Sequence, residues 1–128
     1  MKYIAKADKP SKDGWALYIG RWQPWHGGHR WLIDQQLGQG NKVWIAIRDM
    51  EPDEKNPFTA SQVQMNIETE LYDLMEQGKV IVTVIPDISS INFGRGVGYD
   101  VVEHVPPTEV GEISATKIRQ EMKKRGEL

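Results

Sequence analysis

Three apolar runs frame this chain, and the segments between them limit how the runs can pair. Trp15 to Ile19 is apolar at nearly every position, Lys42 to Arg48 reads Lys-Val-Trp-Ile-Ala-Ile-Arg, and Lys79 to Ile85 stops at Pro86. Each reads as a strand, and the first should be buried on both faces, because a run without polar alternation has no solvent side. Between the first two runs a turn held by Pro24 leads into a helix from about Gly28 to Leu37, ended by Gly38-Gln39-Gly40-Asn41. Between the second and third, Thr59 offers an N-cap with Gln62 three residues on, a capping-box pattern. Val63, Ile67, Leu71, Leu74 and Met75 follow at helical spacing as far as Gly78. A strand, a helix and a strand within about 35 residues return the chain parallel to itself.

The order predicts an α/β fold: a Rossmann-like open, mostly parallel sheet with helices on both faces. Asp87 to Gly98 reads as a Gly-rich loop, and Tyr99 to Val105 as a short fourth strand, although a helical turn fits nearly as well. Pro106-Pro107 breaks the chain, and Ser114 starts a last helix carrying Ile118 and Met122 and ending near Gly126. Met1 to Gly14 is a polar lead segment, and residues 15–128 form one domain, long enough to bury a core without disulfides. In such sheets the ligand crevice lies outside the carboxyl ends of the strands. Gly20 to His29, Arg48 to Thr59, Asp87 to Gly98 and Glu112 to Arg119 all gather there.

The net charge of −2 gives no bulk electrostatic reason to expect nucleic acid or an anionic membrane as partner. Anion binding must then come from local arrangement. There is no cysteine, which excludes a thiolate nucleophile and cysteine-ligated zinc. Without a signal peptide or an apolar run of about 18 residues, the expected compartment is the cytoplasm.

His26-Gly27-Gly28-His29 is the sharpest chemical signal. Two imidazoles where a turn becomes a helix, beside free backbone N–H groups, suit charge growing on a phosphoryl group. Glycines between them let the backbone approach phosphates without a Cβ in the way. The alternatives are one surface and one packing histidine, or a metal site, for which two histidines are a poor set. In Ile113-Ser114-Ala115-Thr116-Lys117-Ile118-Arg119, Ser114 is an N-cap candidate, and Thr116 and Arg119 share a helical face. An ordinary capped helix with an exposed arginine is the plain alternative. Of the five tryptophans, Trp15, Trp31 and Trp44 are expected in the core, while Trp22 and Trp25 either wall a pocket or pack.

Together these motifs resemble the nucleotidyltransferase (cytidylyltransferase-like) superfamily, with its H-x-G-H motif after the first strand and I-S-x-T-x-x-R opening a late helix. Gly20-Arg21-Trp22-Gln23-Pro24-Trp25-His26 is similar to the G-R-F-Q-P-F-H signature of the nicotinamide-mononucleotide adenylyltransferase branch, with Trp for both Phe. Asn56-Pro57-Phe58-Thr59-Ala60 and Ile85-Pro86-Asp87-Ile88 are similar to segments of that branch. The resemblance implies the H-x-G-H nucleotidyltransferase fold and transfer of a nucleoside monophosphate, AMP from ATP, onto a small phosphorylated acceptor. Pyrophosphate would leave, with Mg²⁺ bridging the triphosphate. It implies that His26, His29 and Arg119 are catalytic and that Gly20, Arg21, Trp22, Gly28, Ser114 and Thr116 bind the nucleotide. Arg48, Asn56, Asp87 and Arg95 are candidates for the acceptor, set against a plain salt bridge for Arg48 and a turn cap for Asp87. No protein metal ligand, nucleic acid or membrane is expected, and a homo-oligomer is left open. The competing expectations are a CTP-dependent enzyme acting on a phosphorylated alcohol, and a non-catalytic nucleotide-binding module. The chain departs from the branch at Ser61-Gln62-Val63, where Gly-Glu-Arg is usual, and at Gly94-Arg95-Gly96-Val97-Gly98-Tyr99. Both departures fall where the acceptor would be read.

Overall fold

The computed structural model describes residues 14–96 and 98–128. The lead segment, apart from Gly14, and Val97 lie outside the described residues. The order is β1 (Trp15–Gly20), α1 (Gly27–Leu37), β2 (Lys42–Asp49), α2 (Ala60–Glu70), α3 (Tyr72–Glu76), β3 (Val80–Pro86), α4 (Thr108–Gly111) and α5 (Ala115–Lys124). The strands form an open, wholly parallel sheet in the order β1-β2-β3, with Gly20 opposite Ile47 and Val43 opposite Val80. Their carboxyl ends therefore share one edge.

Both crossovers step the same way across the sheet, so right-handed connections bring α1 and α2 to the same face. Burial agrees. Val43, Ile45 and Ile47 of β2 and Val80 and Val82 of β3 form one cluster with Ile33 of α1 and Val63, Ile67 and Leu71 of α2. Each such side chain, fully buried, stabilises by about 1.5–3 kcal/mol relative to leaving it in water. The helical spacing read from residues 63–75 is thus the spacing of this contact face.

The other face is more open. Leu17 lies in register with Trp44, which lies in register with Ile81. Leu17 is 46% exposed, Trp15 and Ile81 are each 37% exposed, and Trp44 is half-buried. The expectation that β1 is buried on both faces is thereby corrected: it pairs with β2 alone among the strands and turns one face outward. The tryptophan assignment changes with it. Trp15 lies under the Lys42 ammonium, 4.6 Å from its ring centroid, and Trp44 donates its indole N–H to Thr83 Oγ1 at 2.7 Å. Trp31 is half-buried, and the tryptophan of the core is Trp22.

Three further details differ from expectation. The second helix is interrupted at Leu71 (φ −101°, ψ 17°), where α2 gives way to α3. Tyr99 to Val105 is irregular apart from an isolated bridge at Val102, so the fourth strand does not form. Its exposed Tyr99 and Val105 lack the neighbours that would hold a strand. The short α4 after Pro107 was not foreseen; it packs on α1.

Candidate active site

The glycine-rich stretch leaves β1 at Gly20 and folds back beneath the sheet edge. Trp22 takes a positive φ of 53°, which tucks its ring beside Gly20; a Cβ on Gly20 would lie 2.8 Å from Trp22 Cε2. The indole N–H of Trp22 donates to the Ala46 carbonyl of β2 at 3.1 Å. A Phe at this place could pack but has no N–H to donate to that carbonyl.

The two histidines cap α1 reciprocally. His26 Nδ1 accepts from the Gly28 N–H at 3.0 Å, and His29 Nδ1 accepts from the His26 N–H at 3.2 Å, completing a capping box built from imidazoles. With both Nδ1 atoms accepting, each neutral ring carries its proton on Nε2 and can donate from there. The rings stack at 3.6 Å between centroids, 18° from parallel. Gly28 has a local reason as well, since a Cβ there would come within 2.9 Å of His26 Cε1. Burial lowers the pKa of His26. Burial, and then the neighbouring His26, push that of His29 down to about 3. Trp22 meets the His29 ring edge-on at 4.8 Å, and Trp25 tilts against it at 5.4 Å. The pair is therefore a set of neutral donors at neutral pH, held by its own capping bonds.

A cleft of about 320 Å³ opens beside His29, lined by Gly20, Arg21, Trp22, Gln23, His29, Lys55, Asn56, Ala115 and Arg119. The amino-terminal motif and the late helix thus meet at one place. Arg119 reaches it from α5, donating from Nη1 to the Gln23 carbonyl at 2.6 Å and from Nη2 to Thr116 Oγ1 at 3.3 Å. Two of the five donors a guanidinium carries go to the protein. Ser114 caps α5 by accepting from the Lys117 N–H at 3.3 Å. His26 adjoins the cleft through His29 and is not in its wall.

Lys55 escaped the sequence reading, because a lysine in a charged loop carries no local signal. The loop presenting it is closed by Asp53 and Asn56. Asp53 Oδ1 accepts from the Lys55 N–H at 2.9 Å and from the Asn56 backbone and side-chain N–H groups at 2.8 and 3.0 Å. Those bonds from Asn56 are the main reason the Asp53 carboxyl sits below its usual range. Asn56 is buried and at least partly committed to shaping this loop. With Arg21 and Arg119, Lys55 gives the cleft three cations, and no carboxylate is among the described residues that line it, although Asp53 lies near enough to Arg21 to feel its charge.

The other acceptor candidates lie apart. Arg48 and Asp87 pair with each other at 2.7 Å, Arg48 also donates to the Ile88 carbonyl, and Asp87 Oδ1 accepts from the Ile88 N–H. Neither lines the cleft, and Arg95 sits exposed in its loop. Among the described residues no group of three or more His, Cys, Asp or Glu side chains is arranged to hold a metal ion. No helix there is long and apolar enough to cross a membrane.

Comparison with known proteins gives partial matches. No family model matches the chain, and no solved structure matches it. A nicotinamide-nucleotide adenylyltransferase of Methanospirillum hungatei is 39% identical over 61 residues, 46% of this chain and 35% of the relative. One from Methanolobus tindarius is 44% identical over 62 residues, 45% of this chain and 35% of the relative. Its likeness is to adenylyltransferases. A nicotinamide/nicotinic acid mononucleotide adenylyltransferase of Acinetobacter baylyi is 38% identical over 58 residues, 44% of this chain and 31% of the relative. The chain spans about a third of the length of these curated relatives. The lean to the adenylyl rather than the cytidylyl branch agrees with these matches, none of which is long enough to hold both the His26–His29 and the Ser114–Arg119 motifs.

Proposed function

We propose that this chain transfers AMP from ATP to a small phosphorylated acceptor and releases pyrophosphate. One observation carries the reading: His29 from the start of α1 and Arg119 from α5 line the same cleft as Arg21 and Lys55. Three cations and neutral imidazole donors, with the Asp53 carboxylate near Arg21 but outside the cleft wall, suit a polyanion whose charge shifts during reaction. The acceptor's phosphate oxygen attacks the α-phosphorus in line as the bond to the pyrophosphate oxygen breaks. No enzyme nucleophile is needed, so the protein works by positioning and charge stabilisation. Arg21, Lys55 and Arg119 hold the outer phosphates and neutralise the leaving group. His29, with His26 behind it, donates from Nε2 to the oxygens of the α-phosphate. Mg²⁺ carried in on ATP would offset phosphate charge; the described lining offers it no carboxylate, so the substrate's phosphates would have to hold it.

The relatives' names make nicotinamide mononucleotide the first acceptor to test. Pyrophosphate release is measured with ATP or CTP against a panel of phosphorylated acceptors. Release with ATP and one acceptor is the expected result. Nucleotide binding without release across the panel makes the domain a binding module, and release with CTP alone reverses the choice of donor.

A further inference from the structure

Gln23 has no role in the reading above, yet it ties together the three segments that wall the cleft. Its side chain is buried, with 7% of the residue exposed. Oε1 accepts from the Phe58 N–H at 2.9 Å, and Nε2 donates to the Phe58 carbonyl at 2.9 Å. Its own main-chain carbonyl accepts from Arg119 Nη1. One residue therefore joins the β1–α1 turn to a loop 35 positions away and to a helix 96 positions away.

The Phe58 end of this tie reaches Lys55. Asp53 and Asn56 exchange backbone bonds (Asp53 N–H to the Asn56 carbonyl, 2.9 Å; Asn56 N–H to the Asp53 carbonyl, 3.2 Å). With the Asp53 carboxylate accepting from three N–H groups, residues 53–56 form a closed unit that Phe58 anchors two residues later. Thr59 then caps α2, so the loop is fixed at that end as well. A primary amide is the side chain that matches a peptide group donor for acceptor. An apolar side chain would leave the N–H and C=O of Phe58 without these partners.

We propose that Gln23 is a positioning residue that fixes the separation of Lys55 and Arg119, so that both cations grip one polyphosphate. It does not itself take part in the chemistry. The inference rests on reading the cleft as a triphosphate site. Its test has one arm that needs no ligand. In Gln23→Met, hydrogen exchange at the Phe58 amide and across residues 53–58 is expected to quicken; an unchanged rate overturns the proposal whatever the cleft binds. The second arm is a double-mutant cycle read by titration with inorganic tripolyphosphate. Lys55→Ala alone is expected to weaken binding about tenfold, the loss of one charge-assisted contact. In the Gln23→Met background the same change should cost less than about twofold, because the lysine is already out of place; equal losses in both backgrounds overturn the proposal. Gln23→Asn, which keeps the amide but shortens its reach, should give the same coupling and covers a misfolded Met variant. Faster Phe58 exchange in a protein that binds no tripolyphosphate leaves the tie standing and removes the polyphosphate reading instead.

Discussion

Each imidazole at the start of α1 holds the other in place, so the two histidines have a structural and a chemical duty at once. His29→Ala is expected to cut turnover by about 10²-fold or more with a modest change in triphosphate affinity. It also removes half of the capping box, which costs about 1 kcal/mol in a denaturant titration. His29→Gln separates the two effects, because Gln at the third helical position restores the box but not the imidazole. The same pair sets an acid limit. His29 is neutral down to about pH 3 when folded but protonates near the ordinary value of 6.5 when unfolded. The unfolded state therefore binds more protons between those values, so its contribution is complete above pH 6.5 and is lost as the pH falls towards 3. Melting temperature should drop more steeply below pH 6.5 in the wild type than in His29→Gln. Equal slopes would mean that the ring is not held neutral. At Gly20 an added Cβ meets the buried Trp22 ring at 2.8 Å, so Gly20→Ala should destabilise by about 1–3 kcal/mol in urea unfolding.

Elements are where sequence reading succeeded and also where its reach ended. The capping box of α2 forms between Thr59 and Gln62 as their spacing implied, and Thr59→Ala should cost about 1 kcal/mol of unfolding free energy. Ile67, fully buried between α2 and the sheet, should cost about 2–5 kcal/mol as Ile67→Ala by the same measurement. Periodicity and caps are local, and they located β1, α1, β2, β3 and α5 to within a residue or two and the start of α2, but not the break at Leu71 that separates α2 from α3. Burial on the second sheet face was not readable, because it depends on what covers that face rather than on the strand itself. Trp15 and Leu17 look like core residues in the chain and are partly exposed in the fold. The fourth strand did not form although β1 and β3 each have an outer edge with no further strand on it among the described residues; a short segment interrupted by Asp100, Glu103 and His104 does not dictate its own pairing. At the site, the histidines and Arg119 announce themselves through helix-start motifs. Lys55 does not, and Gln23, though it stands in the Gly20–His26 signature, shows nothing there of its tie to Phe58, 35 positions away.

For the molecule as a whole, a chain carrying two surplus negative charges has gathered three cations around one cleft at the carboxyl edge of its sheet. Affinity for a polyphosphate is then a property of that edge and not of the average surface. Two of the five tryptophans, Trp22 and Trp25, lie against the ring of His29. Indole emission responds to charge and to water nearby, so any anion that settles next to that ring alters the light the protein gives off. The molecule carries its own optical gauge of occupancy, readable in a cuvette without a label.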